Sequence, residues 1–193
     1  MRSALTLLMV LGAFGVVLGM NAYPEHNGEW WMSTNSDQRV GFVVGYIDCY
    51  VFVLKGPQTF LESWYEYQKR VDEYYHGHPS ERGKPVSQAL GVVASYPASR
   101  PAKKWAERHG FFDGEYWRQS VPSQRLGFVQ GFLDCQNEHE ASPARYSRPD
   151  SWYVSESSEW YGVKSEDPGE VNAKRSGKKI ADVLYLFRDG AVR

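Results

Sequence analysis

Cysteine is scarce in this chain, and neither sign of charge is in excess. Only Cys49 and Cys135 are present, which excludes a framework of several disulfides. One Arg precedes Tyr23, and the rest of the chain has 21 basic and 23 acidic side chains. This balance excludes the basic surface that binding to nucleic acid or to an anionic membrane requires. We therefore expect no nucleic-acid partner. Strand-like alternation is limited to residues 50–53, so the sequence predicts an all-α fold.

Motifs of common catalytic sites are also lacking. The sequence contains no G-x-S-x-G nucleophile motif and no glycine-rich phosphate loop. The one tight histidine pair is His76-Gly77-His78, and a usable metal site would need a third ligand, such as Glu73 or Glu81. The spacing matches no known metal motif, and His26, His109 and His139 stand alone, which assigns them to the surface or to packing. We therefore predict no metal and no cofactor.

Only one long apolar run occurs, and it lies at the N-terminus. Arg2 is followed by an uncharged stretch over residues 4–20, and small or polar residues follow. This pattern is typical of a secretory signal peptide over residues 1–22, cleaved after Ala22 or alternatively after Gly19. An uncleaved anchor is the other interpretation, but seventeen residues with three glycines are short for a spanning helix. We expect a periplasmic or secreted protein without stable membrane insertion after cleavage.

The rest of the chain contains an internal repeat. Residues 27–49 recur at 113–135, and 11 of these 23 positions are identical without a gap. Looser matches follow, in which the offset grows from 86 to 94: Ser63-Trp64-Tyr65 with Ser151-Trp152-Tyr153, Tyr74-Tyr75 with Trp160-Tyr161, and residues 83–93 with 177–187. We predict two copies of one unit, copy one over residues 23–110 and copy two over residues 111–193. Two copies are too few for a solenoid, so a pseudo-symmetric pair is favoured.

Each copy is expected to contain about three helices. In copy one they are predicted from an N-cap at Thr34 to about Leu54, over residues 58–75 and over residues 86–95. In copy two the first helix is predicted from an N-cap at Ser120 to about Gln136, the second within residues 148–162 and the third over residues 178–187. Residues 100–109 are predicted to form a short connecting helix.

Glycines line one face of both repeated helices. Gly41, Gly45 and Cys49 have the spacing i, i+4 and i+8, and so do Gly127, Gly131 and Cys135. A helical glycine costs about 1 kcal/mol relative to alanine, so this stripe favours close approach of another segment. Either the two stripes face each other, or each holds an aromatic side chain of its own copy, such as Trp64 or Trp152.

In an exported protein we predict a disulfide between the two cysteines; two buried thiols are the alternative.

Three dipeptides of copy one carry a family resemblance. Gly45-Tyr46 lies near the end of the first helix, His78-Pro79 lies before the last helix, and Ala89-Leu90 lies within it. In this respect the chain resembles the periplasmic immunity proteins of type VI secretion, of the Tai and Rap kind. Copy two keeps Gly131-Phe132 but has no His-Pro, and the cysteines of that family are absent from their usual places. The resemblance implies a small exported helical protein that binds and blocks a secreted cell-wall hydrolase.

The repeated turn segments are the predicted binding face. Their residues are Glu29, Trp30 and Trp31 in copy one and Glu115, Tyr116 and Trp117 in copy two. We expect a binding protein rather than an enzyme, with a protein partner such as a secreted hydrolase. One alternative is a glycan binder or hydrolase that uses Glu29 and Glu115, since two carboxylates can serve glycoside hydrolysis. Another alternative is a structural envelope protein.

Asp48 and Asp134 are expected to be structural, and we expect Arg39 and Arg125 to pair with an acid of their own copy.

Overall fold

The computed structural model describes residues 26–55, 60–97, 112–139, 146–163 and 175–188. Within these ranges it contains eight α-helices and no β-strand, which confirms the all-α fold class for the described part of the chain. The helices are α1 (Gly28–Ser33), α2 (Ser36–Asp48), α3 (Trp64–Gly77), α4 (Val86–Ala94), α5 (Gly114–Gln119), α6 (Pro122–His139), α7 (Asp150–Trp160) and α8 (Ile180–Leu186). None of the helices in these ranges is long and apolar enough to cross a membrane. The predicted signal peptide (1–22) and connecting helix (100–109) lie outside the described residues.

Asparagine and aspartate side chains start the helices of the repeated segments. The side chain of Asn27 accepts a hydrogen bond from Trp30 N at the start of α1, and Asn35 accepts one from Gln38 N at the start of α2. Thr34, predicted as the N-cap of α2, instead ends α1. The N-cap predicted at Ser120 is also wrong, because Ser120 ends α5 and α6 begins at Pro122. Each repeated segment therefore forms a short helix and a sharp turn before the long helix.

The second predicted helix of copy one begins later than its apolar periodicity indicated. Ser63 caps α3, its Oγ accepting from Glu66 N at 3.3 Å. Phe60 and Leu61 therefore precede the helix, and Leu61 N donates to the hydroxyl of Tyr67 at 2.8 Å. The C-terminal ends of α2 and α6 lie close to the predicted positions. A π-helical turn extends α2 to Val53, and α6 reaches His139 rather than Gln136.

The two long helices α2 and α6 cross in direct backbone contact at the glycines. A Cβ atom added at Gly41 would overlap the backbone oxygen of Gln124, and one added at Gly127 would overlap that of Gln38. Gly45 lies against Phe128 O, and Gly131 lies against Phe42 O. The stripes therefore face each other, which is the first of the two arrangements considered for them. At the end of this crossing Cys49 and Cys135 form the predicted disulfide, with Cα atoms 6.2 Å apart.

The other helices surround this pair in a matched way. Helix α3 packs on α2 and α4, and α7 packs on α6 and α8. Isolated antiparallel bridges join Asn27 to Pro85 and Asp113 to Lys179. The buried core extends across both helix sets and is rich in aromatic rings, including Trp31, Trp117, Tyr67, Tyr75, Tyr153, Tyr161, Phe42 and Phe128.

Buried tyrosine hydroxyls fix the loops at corresponding places. Tyr75 Oη donates to Lys84 O at 3.1 Å, and Tyr161 Oη donates to Lys178 O at 2.9 Å. The hydroxyl of Tyr153 accepts from Arg148 N, just as that of Tyr67 accepts from Glu62 N. These contacts match Tyr67 with Tyr153 at an offset of 86. The alignment of the two Ser-Trp-Tyr triplets at an offset of 88 pairs Tyr153 with Tyr65 instead, and these hydrogen bonds do not support that pairing.

Candidate functional site

Two tryptophans of the predicted binding face belong to the core. Trp31 and Trp117 have no exposed surface. The indole Nε1 of Trp31 donates to Asp72 Oδ1 at 2.6 Å, and that of Trp117 donates to Ser158 Oγ at 3.2 Å. A partner could not reach these rings without opening the core, so Trp31 and Trp117 offer no accessible surface for binding.

The remaining residues of that face are at least partly accessible. Glu29 and Glu115 are exposed on the first turns of α1 and α5. Trp30 is half-buried against the His26 ring at 4.3 Å between ring centroids, and Tyr116 is half-buried against Phe112 at 4.7 Å. The role of these four residues of the turn segments, Glu29, Trp30, Glu115 and Tyr116, in binding stays a prediction.

The repeated arginines have different partners. Arg39 pairs with Asp72 at 2.9 Å, as predicted for an acid of the same copy. Among the described residues, Arg125 instead donates to two backbone carbonyls, those of Trp117 at 2.7 Å and Arg118 at 3.1 Å. The expected acid partner of Arg125 is not found there. Desolvation lowers the pKa of the Arg125 guanidinium.

A buried histidine bonds to one of the repeated aspartates. His26 N donates to Asp134 Oδ2 at 3.0 Å, and His26 Nδ1 lies 3.0 Å from Asp134 Oδ1. Burial raises the pKa of the Asp134 carboxyl, while the hydrogen bonds and charge of His26 oppose that shift. The two residues are 108 positions apart in sequence, so no local pattern linked them. This pair joins the start of the first repeated segment to α6.

The matching aspartate lacks this partner. Phe112 occupies the place that aligns with His26, and Phe112 O accepts from Ile180 N as His26 O accepts from Val86 N. Asp48 is 2 % exposed, and its Oδ2 has no hydrogen-bond partner. Burial raises the pKa of Asp48 to about 8; the charge of Lys179 acts in the opposite direction and that of Asp182 in the same direction. The repeated aspartates are therefore buried groups in two different environments.

The histidine pair of the sequence lies on the surface. His76 and His78 are both exposed, and the ring of His78 stacks on Tyr74 with centroids 4.9 Å apart. Within the described ranges, no group of three His, Cys, Asp or Glu side chains is placed to hold a metal ion.

An open groove lies between the C-terminal ends of α2 and α6 and one face of α4. Its volume is about 520 Å³, within the range of about 300–1,000 Å³ that is common for ligand sites. The residues that line it are Tyr46, Tyr50, Phe60, Ser87, Gln88, Gly91, Val92, Ala94, Ser95, Glu138 and His139. We name this site the α4 groove.

The floor of the α4 groove is aromatic, and its rim holds one carboxylate. Tyr46 Oη donates to Glu138 Oε2 at 2.8 Å, and burial, followed by the charge of Glu138, raises the pKa of Tyr46 well above its usual range. The Tyr50 ring lies 5.1 Å from the His139 ring and 5.6 Å from that of Phe60. No local pattern in the sequence marks this site, because its residues come from three separate segments, 46–60, 87–95 and 138–139.

Gly91 keeps one wall of the groove open. A Cβ atom added there would meet nothing within 4 Å, in contrast to the four glycines of the central crossing. The arrangement suits the binding of an apolar or aromatic group next to a hydrogen-bond acceptor. It does not offer the paired carboxylates that glycoside hydrolysis uses, since Glu138 is the only acid among the described residues that line it. The chain matches no family model, no curated protein and no solved structure.

Proposed function

We propose that this chain is an exported, non-catalytic protein that binds another protein, in the manner of an immunity protein. The α4 groove carries the proposal, because it is an open cavity whose described lining residues include three aromatic side chains of Tyr and Phe and one carboxylate. The exposed Glu29 and Glu115 do not line it. A partner that inserts side chains into such a groove would gain buried apolar area, which dominates most protein association.

Export and duplication are part of the same proposal. The N-terminal pattern of residues 1–22 and the disulfide support a periplasmic or secreted location, since disulfides persist in oxidising compartments. The reciprocal glycine contacts and the two matched bridges support descent of the two halves from one unit. The resemblance to type VI immunity proteins suggests a secreted cell-wall hydrolase as the partner.

Affinity capture tests this function. The chain from Tyr23 to Arg193, with a C-terminal tag, is incubated with envelope and secreted extracts of its own organism, and bound proteins are identified by mass spectrometry. We expect one stoichiometric partner whose cell-wall hydrolysis is blocked by the purified chain.

Two controls make the result decisive. Replacement of Glu29 and Glu115 together by Gln should leave capture and inhibition unchanged if neither carboxylate performs chemistry. Retention of the chain on insoluble cell wall, with hydrolysis that the double replacement abolishes, would overturn the proposal in favour of a hydrolase.

A further inference from the structure

The two halves of the chain differ at the position of Gly91. The sequence alignment of residues 83–93 with 177–187 places Tyr185 of α8 opposite Gly91 of α4. The structure supports this register, because Pro85 and Lys179 form the matching bridges and Val86 N and Ile180 N form the matching hydrogen bonds. One half therefore has a phenol ring where the other half has no side chain.

Tyr185 packs on the end of α6. Its Oη donates to Gln136 Oε1 at 3.3 Å, and its ring centroid lies 6.2 Å from that of Phe132 in an edge-to-face arrangement. Phe132 and Gln136 align with Tyr46 and Tyr50, which line the α4 groove. The second half thus fills, with its own tyrosine, the place that corresponds to the groove.

Tyr50 does not take over this role in the first half. It is larger than the aligned Gln136, but its ring lies against Phe60 and His139. The space next to Gly91 stays empty to at least 4 Å from an added Cβ atom. The larger Tyr50 in place of Gln136 therefore does not fill the space that Gly91 leaves in place of Tyr185.

The rim of the groove offers an acceptor for a hydroxyl group. A carboxylate has about four lone-pair sites; Tyr46 Oη and His139 Nε2 lie 2.8 and 3.9 Å from Oε2 of Glu138, which leaves its other oxygen for a further donor. Glu138 is itself partly exposed, with 39 % of its side chain accessible, so an incoming donor can reach it. An aromatic ring in the groove would lie next to Tyr46, Tyr50 and Phe60, and neighbouring aromatic rings attract in offset or edge-to-face arrangements.

We infer that the α4 groove is a docking site for a tyrosine side chain of a partner protein, placed as Tyr185 is placed in the other half and donating its hydroxyl to Glu138. This inference rests on the proposed function in one respect, that the occupant belongs to a protein. Gly91 leaves room for that ring. Tyrosine side chains of this kind often anchor protein interfaces, because they bury a large area at low entropic cost.

The test uses p-cresol, which has the ring and hydroxyl of a tyrosine side chain, and the exported chain. Binding is followed by NMR chemical-shift titration. We expect saturable binding with shifts confined to residues around the groove, and weaker binding of toluene, which lacks the hydroxyl. Gly91→Tyr should fill the groove from within and weaken p-cresol binding by at least about tenfold.

Further variants show whether Gly91→Tyr loses p-cresol binding because its side chain fills the groove or because the protein does not fold. Gly91→Ala adds a methyl group where there is space, so it should bind p-cresol nearly as the wild type does. Gln88→Trp, at an exposed position on the same rim, should weaken binding even if Gly91→Tyr does not fold. Tyr185→Gly should create a second site and raise the stoichiometry.

Three results would overturn the inference. They are the absence of saturable p-cresol binding to the wild type, equal binding to wild type and Gly91→Tyr, and binding of N-acetylglucosamine but not p-cresol in the groove. Capture of an inhibited hydrolase without p-cresol binding would reject the tyrosine anchor and leave the proposed function standing. Binding of p-cresol to the groove without any captured partner would reject the function and leave the site.

Discussion

Asp48 and Asp134 occupy matching positions on α2 and α6, yet only Asp134 is bonded to a histidine. The difference arises from one aligned position, His26 in one half and Phe112 in the other. Burial disfavours the charged form of Asp48, whose Oδ2 has no hydrogen-bond partner, so Asp48 keeps its proton to about pH 8. The folded chain therefore holds a proton that the unfolded chain releases near pH 4.

The free energy of unfolding should consequently fall as pH rises from about 4 to about 8. The pKa of Asp48 is higher in the folded state than its ordinary 3.8, so over this window the folded state binds more protons. One such group gives a slope of at most about 1.4 kcal/mol per pH unit. Asp48→Asn removes that contribution. Urea denaturation at several pH values should show a flatter profile for the variant, with higher stability than wild type at pH 8.

An exposed carboxylate provides the matched control for Asp48. Asp37→Asn removes the same charge from the first turn of α2, where the side chain is exposed, and should leave the steepness of the pH profile unchanged. Asp134 contributes in the same direction as Asp48, so a residual slope is expected in the Asp48 variant. Parallel profiles for wild type and Asp48→Asn would contradict the assignment.

At the level of helices, glycines serve two opposite purposes in this fold. A Cβ atom at Gly127 would meet the backbone oxygen of Gln38, which cannot move without separating α2 from α6. We expect Gly127→Ala to lower the free energy of unfolding by about 1–3 kcal/mol, as overpacking does. Gly91→Ala, in the open groove, should raise it by up to about 1 kcal/mol through helix propensity.

Guanidinium denaturation of these two alanine variants tests both expectations with the same substitution. Circular dichroism of each variant before unfolding checks that the helices are intact. If Gly127→Ala were as stable as Gly91→Ala, the direct backbone contact of α2 with α6 would be refuted.

The disulfide could be predicted, and the facing glycine stripes were one of two arrangements that the sequence left open, because the signal is local and appears twice. Gly41, Gly45 and Cys49 share one helix face, and equivalent cysteines can bond only when both lie near the crossing. The start of α2 was harder to place, because Thr34 and Asn35 are both common capping residues and only the chain path selects Asn35. Leu61 fitted the apolar periodicity of α3 but precedes the helix and is 51 % exposed.

The candidate site was less predictable because it depends on contacts between distant segments. The predicted binding face included Trp31 and Trp117, but both indoles donate inward to partners 41 residues further along the chain. The α4 groove does have a signal in the sequence, the mismatch of Gly91 with Tyr185 in an alignment whose apolar positions otherwise match. That mismatch acquires meaning only when Tyr185 is seen to pack on Phe132.

At the scale of the whole molecule, the Cys49–Cys135 disulfide joins the two halves at the end of the central crossing. It closes a loop of 86 residues, and both cysteines are fully buried. Loss of a native disulfide from a small secreted domain costs about 2–5 kcal/mol, largely because the unfolded chain regains freedom. We expect this decrease for the double variant Cys49→Ser with Cys135→Ser, measured by guanidinium denaturation.

Reduction of the wild-type chain separates the covalent effect from the effect of the new side chains. Unfolding in the presence of a phosphine reductant should show the same loss of stability as the double variant. The close contacts at Gly41 and Gly127 do not depend on the disulfide, so the reduced chain should remain helical. Because both sulfur atoms are buried, reduction of the folded chain must await opening of the helix crossing and should be slow. Equal stability of the oxidised and reduced chains would mean that the glycine-mediated packing alone holds the two halves together.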